Sequence, residues 1–271
     1  MLVEFMLIKT VTTLVVVMGL AFIAENSSAR IAGVLSGFPS GMAIIIFFLG
    51  VDNGTEFVVH SVDHTILGSL GAMVFAYVYY RVSNVGERSH LVLSWAAALI
   101  AFLITGDILI RLELPIIAQV VLAFLSMGLF ARLFHSVKDS AIKQKVPFTY
   151  KILIFRSVIA VLMVLFITGI AEMVGTQWAG VLSGFPSTFA PFLFVIHLTY
   201  GSKVAATLLK NYILGIGASI CYSVSVINFY PRYDLYLGTL LSFVTSSIYL
   251  VLYVCVYQYW KRKQQMNEGT Q

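Results

Sequence analysis

The chain has 271 residues, 59% of them hydrophobic and only 11% charged, with a mean hydropathy of +0.93 and a net charge of +5. That leaves too little polar surface to cover a soluble domain of this size, and no stretch between the apolar segments is long enough to hold one. The positive charge does not indicate nucleic-acid binding, because the basic residues sit in short loops beside apolar segments.

Apolar runs of about 20 residues, the length that crosses a hydrocarbon core, recur from end to end and predict an all-α polytopic membrane helix bundle. Nine spans can be drawn: 5–24, 31–51, 64–80, 91–110, 115–134, 152–173, 178–198, 211–229 and 235–259. The first is read as an uncleaved span, since it carries Glu4 in place of a basic leader and lacks a clear cleavage site. Segments 54–63 and 202–210 are polar and read as interfacial. Tyr79, Tyr80, Trp178, Tyr230, Tyr257 and Trp260 fall near span ends, where amphipathic rings settle at headgroup depth. Cys221 and Cys255 lie inside apolar segments with no CxxC or zinc pattern and read as small core residues.

Lys and Arg set the orientation. Against nine spans, thirteen fall on one side and only Arg111 and Arg232 on the other, with Lys9 and Arg156 inside spans. Positive residues favour the cytoplasmic side, which places the N-terminus outside and the C-terminus inside, in a bacterial inner membrane.

Residues 32–40 read AGVLSGFPS, and residues 179–187 read the same, an offset of 147. At that offset Ile23–Ala24–Glu25 answers Ile170–Ala171–Glu172, Lys9 answers Arg156, Gly54 answers Gly201, and Leu67–Gly68 answers Leu214–Gly215. Residues 1–110 therefore form one four-span unit, 111–148 a linking span with a basic loop, and 149–271 a second unit with the tail. The single extra span turns the second unit upside down. Inverted-topology repeats are a signature of secondary transporters, although duplication can also build a larger bundle with no transport role.

Within each SGFPS, glycine loosens the helix and proline removes a donor and clashes with the preceding turn. Two such breaks would converge near the midplane, where transporters of this kind bind substrate. The predicted substrate-lining residues are Ser36, Gly37, Phe38, Pro39 and Ser40, with Ser183, Gly184, Phe185, Pro186 and Ser187. The competing expectation is tight packing by small residues. Pro191 has no match in the first unit.

Ionisable residues at membrane depth are functional candidates. Lys9 and Arg156 would neutralise an anion, pair with a carboxylate, or snorkel to the interface. Glu25 and Glu172 would couple transport to protons or cations, or serve as capping or interfacial carboxylates. His60, Asp63 and His64 suit a divalent cation or a proton relay, or else a solvated interface. Asp107 and Arg111 read as an i, i+4 ion pair. HExxH, GxSxG, Walker A and a βαβ-opening GxGxxG are all lacking, so neither an enzyme nor a bound cofactor is expected.

Residues 32–40 and the apolar run 41–50 behind them resemble the GlpM-type family of very small inner-membrane proteins, whose second span has a similar AGL…FPT-apolar pattern. A duplicated and inverted small unit is also similar in plan to the drug/metabolite transporter superfamily. This chain has Ser after Pro in both copies and lacks a tenth span. The resemblance implies a transport-type fold and names no substrate.

The leading expectation is a secondary transporter of a small solute working by alternating access, driven by H⁺ or Na⁺, surrounded by lipid, with a homodimer left open. The alternatives are a transporter of Mn²⁺, Fe²⁺ or Zn²⁺ using Glu25, Glu172, His60, Asp63 and His64, and a non-transporting scaffold or envelope-biogenesis subunit. Cysteine-accessibility labelling should place 136–145 and the tail after Trp260 in the cytoplasm and 52–56 outside. Finding 52–56 and 136–145 on one side would sink the nine-span count and the inverted repeat together.

Overall fold

The computed structural model describes residues 2–25, 29–84, 90–138 and 150–268. Among these it is all-helical, without strands: α1 (Leu2–Glu25), α2 (Ala29–Ser36), α3 (Ser40–Ser83), α4 (Leu91–Arg111), α5 (Ile116–Leu133), α6 (Tyr150–Ser183), α7 (Phe189–Tyr200), α8 (Ser202–Phe229) and α9 (Leu235–Glu268). Six runs among the described residues are long and apolar enough to cross a membrane: Ala32–Ser83, Leu91–Arg111, Ile116–Leu133, Ser157–Ser183, Ser202–Phe229 and Leu235–Tyr259. The chain is a membrane-embedded helical protein. The difference from nine predicted spans lies in the run through α3, which carries the second and third in one bent rod. It lies also in α7, a shorter apolar helix, while α1 runs the 24 residues Leu2–Glu25.

α3 and α8 form the centre, packed against each other and against α6 and α2. α4, α5 and α9 lie outside and expose large apolar side chains such as Ile104, Ile117, Leu125 and Val251. That distribution suits hydrocarbon, where a helix satisfies its own backbone and apolar side chains need no cover.

The bends are made by glycine. Gly54 (φ 85°, ψ 163°) turns α3, and Gly201 (φ 82°, ψ 178°) joins α7 to α8 with nearly the same angles. Essentially only glycine adopts this region without strain. The turn at Gly54 corrects one expectation: 54–63 is not merely interfacial but starts the second half of α3. Glu56 and His60 take its exposed face, while Val58 and Val62 are fully buried. Segment 202–210 behaves alike, with Ala205, Leu208 and Leu209 buried in α8.

The centre is held together by glycine crossings. A Cβ on Gly37 would lie 2.5 Å from Gly215 Cα, and one on Gly184 would lie 2.7 Å from Gly68 Cα. A Cβ on Gly33 would come 2.8 Å from the Leu208 carbonyl oxygen, and one on Gly180 would overlap the Ser61 carbonyl oxygen. The offset of 147 relates Gly37 to Gly184, Gly68 to Gly215, Gly33 to Gly180 and Ser61 to Leu208. Each AGVLSGFPS segment thus lies on the long helix of the other half, at corresponding positions. Lipid tails leave helices no hydrophobic reason to associate, so backbone approach through small residues supplies the contact.

Gly68→Ala and Gly215→Ala should each destabilise the protein by about 1–3 kcal/mol through overpacking. Gly128→Ala and Gly169→Ala, where an added methyl meets nothing within 4 Å, should be neutral or stabilising by up to about 1 kcal/mol. Thermal unfolding in detergent measures the difference. Equal effects at all four positions would show that the crossings do not limit stability.

Candidate functional site

The two SGFPS segments fold alike because the same residues impose the same hydrogen bonds. In the first, the Gly37 and Phe38 amides donate to Val34 and Leu35 carbonyls, both at 3.1 Å, which tightens the end of α2. The Ser40 amide then donates to Phe38 O at 2.7 Å, and α3 begins with Ala43 bonding Pro39 O. In the second, Gly184 and Phe185 donate to Val181 and Leu182 at 3.0 Å, Ser187 donates to Phe185 O at 2.7 Å, and Ala190 bonds Pro186 O. Proline, having no N–H, restarts each helix. No side chain caps α3 or α7 at its N-terminus.

The breaks meet at a cavity of about 20 Å³, room for roughly one water molecule. Eight of the ten predicted residues line it: Ser36, Gly37, Phe38 and Pro39 from one break, Gly184, Phe185, Pro186 and Ser187 from the other. Ser40 and Ser183 do not. Ser183 is fully buried and its hydroxyl donates to Ala179 O at 2.7 Å. Ser36 likewise donates to Ala32 O at 2.7 Å, so both hydroxyls are taken by their own helices. Ser40 Oγ lies 3.4 Å from Thr188 Oγ1.

Gly41, Met42, Thr188, Tyr212 and Ser219 complete the lining, and sequence reasoning missed all five. Ser219 donates to Gly37 O at 2.8 Å, meeting a carbonyl at the break. Tyr212 stacks flat on Phe189 at 4.0 Å. Gly41 and Thr188 were discoverable as direct neighbours of the repeated motif; Tyr212 and Ser219 come from α8 and carried no local signal. Ser187 is 1% exposed, and its hydroxyl has no hydrogen-bond partner. Among the described residues, no Asp, Glu, Lys, Arg or His lines the cavity.

The ionisable candidates lie elsewhere. Lys9 is buried, forms an ion pair with Asp52 and donates to Thr168 Oγ1 at 3.2 Å. It pairs rather than snorkels: Lys9 near the start of α1 and Asp52 before the bend of α3 come to one depth, with Thr168 on α6. Glu172 is exposed on α6. The Glu25 and Arg156 side chains lie outside the described ones. His64 Nδ1 lies 2.5 Å from Asp63 Oδ1, whereas His60 is exposed on α3. Among the described residues no three His, Cys, Asp or Glu side chains come together to hold a metal, so the structure does not join His60, Asp63 and His64 into a cluster. Arg111 holds Asp107 with two bonds of 2.8 and 3.2 Å, as the i, i+4 spacing predicts.

Comparison with protein-family models, with curated proteins and with solved structures finds no match.

Lys9→Met and Asp52→Asn should each destabilise the protein more than the double variant does, because each single change strands one partner at partly buried depth. A double-mutant cycle on unfolding temperature should give a coupling of about 1–3 kcal/mol. Strict additivity would reduce the pair to two independent surface groups.

Proposed function

We propose that this chain is a secondary active transporter of a small solute, built from two inverted-topology repeats in nine crossings, with its substrate held between the two SGFPS breaks. The observation that carries the reading is the reciprocal packing: each break sits against the opposite half's long helix, and both open onto one cavity. Reciprocal contact at corresponding positions is what a two-fold relation between halves produces. Broken helices facing one small polar cavity are what alternating access around a central site requires. The energy source is an ion or proton gradient.

Packing alone accounts for Gly37, Gly68, Gly184 and Gly215. It does not account for a hydroxyl left unbonded at the meeting point, since burying one without a partner costs about 1–3 kcal/mol.

Alternating access predicts that Ser187→Cys, in a chain with Cys221 and Cys255 replaced by Ala, reacts with small thiol reagents from each side of the membrane in turn. In proteoliposomes, Pro39→Ala and Pro186→Ala should lower turnover more than apparent affinity, by restoring helix where the structure hinges. A folded Ser187→Cys protein that labels from neither side, with or without a gradient, would leave the centre a sealed packing core.

A further inference from the structure

The cavity is a meeting point of two helix N-termini. Gly41 and Met42 from the first turn of α3 line it, and so does Thr188, the N-cap residue of α7. Neither terminus has a side-chain cap. Gly41 and Met42 bring the first-turn N–H groups of α3, whereas α7 offers fewer donors, because the Ala190 N–H is taken by Pro186 O and Pro191 has none. The aligned peptide dipoles still place roughly half a positive charge at each end. Two such ends converge here with no carboxylate among the lining residues.

The hydroxyls repeat the same polarity. Ser187 Oγ, unpartnered on a side chain that is 1% exposed, stands over the first turn of α3, where a Cβ on Gly41 would overlap it. Ser40 and Thr188 bring two more hydroxyls together 3.4 Å apart at the same crossing. A hydroxyl can turn its proton toward whatever occupies the site. A cation would face two positive dipole ends. A neutral solute would gain hydrogen bonds from them but no charge–dipole attraction, and the space admits only an occupant of about the size of one water. An acceptor carrying negative charge satisfies the dipoles and the free hydroxyl together.

We propose that this cavity binds a small monovalent inorganic anion of the halide class, held without its water shell by the N-termini of α3 and α7 and by the Ser187 hydroxyl. The proposal rests on the reading of this cavity as the substrate site and names the class of substrate.

The test titrates purified, detergent-solubilised protein in sodium gluconate with fluoride, chloride and bromide, by calorimetry and by unfolding temperature. Sodium sulfate and potassium gluconate serve as comparators. At least one halide should bind and raise the unfolding temperature, while exchanging sodium for potassium changes nothing. Ser187→Ala, which removes one hydroxyl with little change of shape, should weaken halide binding about tenfold to a hundredfold, and Thr188→Val should weaken it in the same direction. Gly41→Ala, whose methyl occupies the same space, should abolish binding in a protein that still folds. Halide binding with no halide flux in proteoliposomes would keep the anion site and remove the transport reading. No halide binding by the parent, or unchanged affinity in both the Ser187 and Thr188 variants, would overturn the anion site. It would be overturned equally if a neutral or cationic solute were transported without regard to halide.

Discussion

A backbone group inside a bilayer has no water to bond, so a break in a membrane helix persists only where other protein groups meet it. The centre of this molecule is organised around two such breaks. Each proline ends one helix and starts another, and each break is pressed against a helix of the other half by glycine. At Gly37 the carbonyl takes the Ser219 hydroxyl. The close approach is what brings Ser219 within reach: with a Cβ on either Gly37 or Gly215, α2 and α8 would have to separate. Glycine crossings, polar partners and the cavity are therefore one construction.

The two breaks share a sequence but not their surroundings. Gly41 follows the first motif and Thr188 the second; Thr65 and Ala72 on α3 stand where α8 has Tyr212 and Ser219. The Ser187 hydroxyl occupies the space that the missing side chain of Gly41 leaves. The lining is therefore asymmetric: α8 contributes Tyr212 and Ser219, whereas α3 contributes Gly41 and Met42.

Charge is kept away from the cavity and used for fastening. Lys9 joins Asp52 and Thr168, tying α1 to α3 and α6 at one depth. A lone ammonium or carboxylate there would be costly to desolvate, whereas the pair offsets much of that cost. Lys210 on α8 does comparable work, donating to Val137 O at 2.7 Å beyond α5. The cavity is left to dipoles and hydroxyls, whose positive ends need no titratable group.

The sequence alone determined the helical, membrane-embedded class, because hydropathy is a property of the residues themselves and a bilayer admits few backbone solutions. It also determined the two breaks, since Gly37–Pro39 and Gly184–Pro186 act on their own hydrogen bonds whatever surrounds them. Only the tertiary structure decided what the breaks face. Tyr212 and Ser219 lie on α8, far along the chain from the first motif, and nothing local distinguishes them from other buried residues of that helix. The same holds for Asp52, which reads as a loop carboxylate until α1 and α3 pack side by side. Ser183 and Ser187 stand four residues apart in one motif, yet one spends its hydroxyl on its own helix and the other keeps it free. Hydrogen-bond partners of a side chain are set by neighbours in space, and those were fixed by which backbones glycine allows to touch.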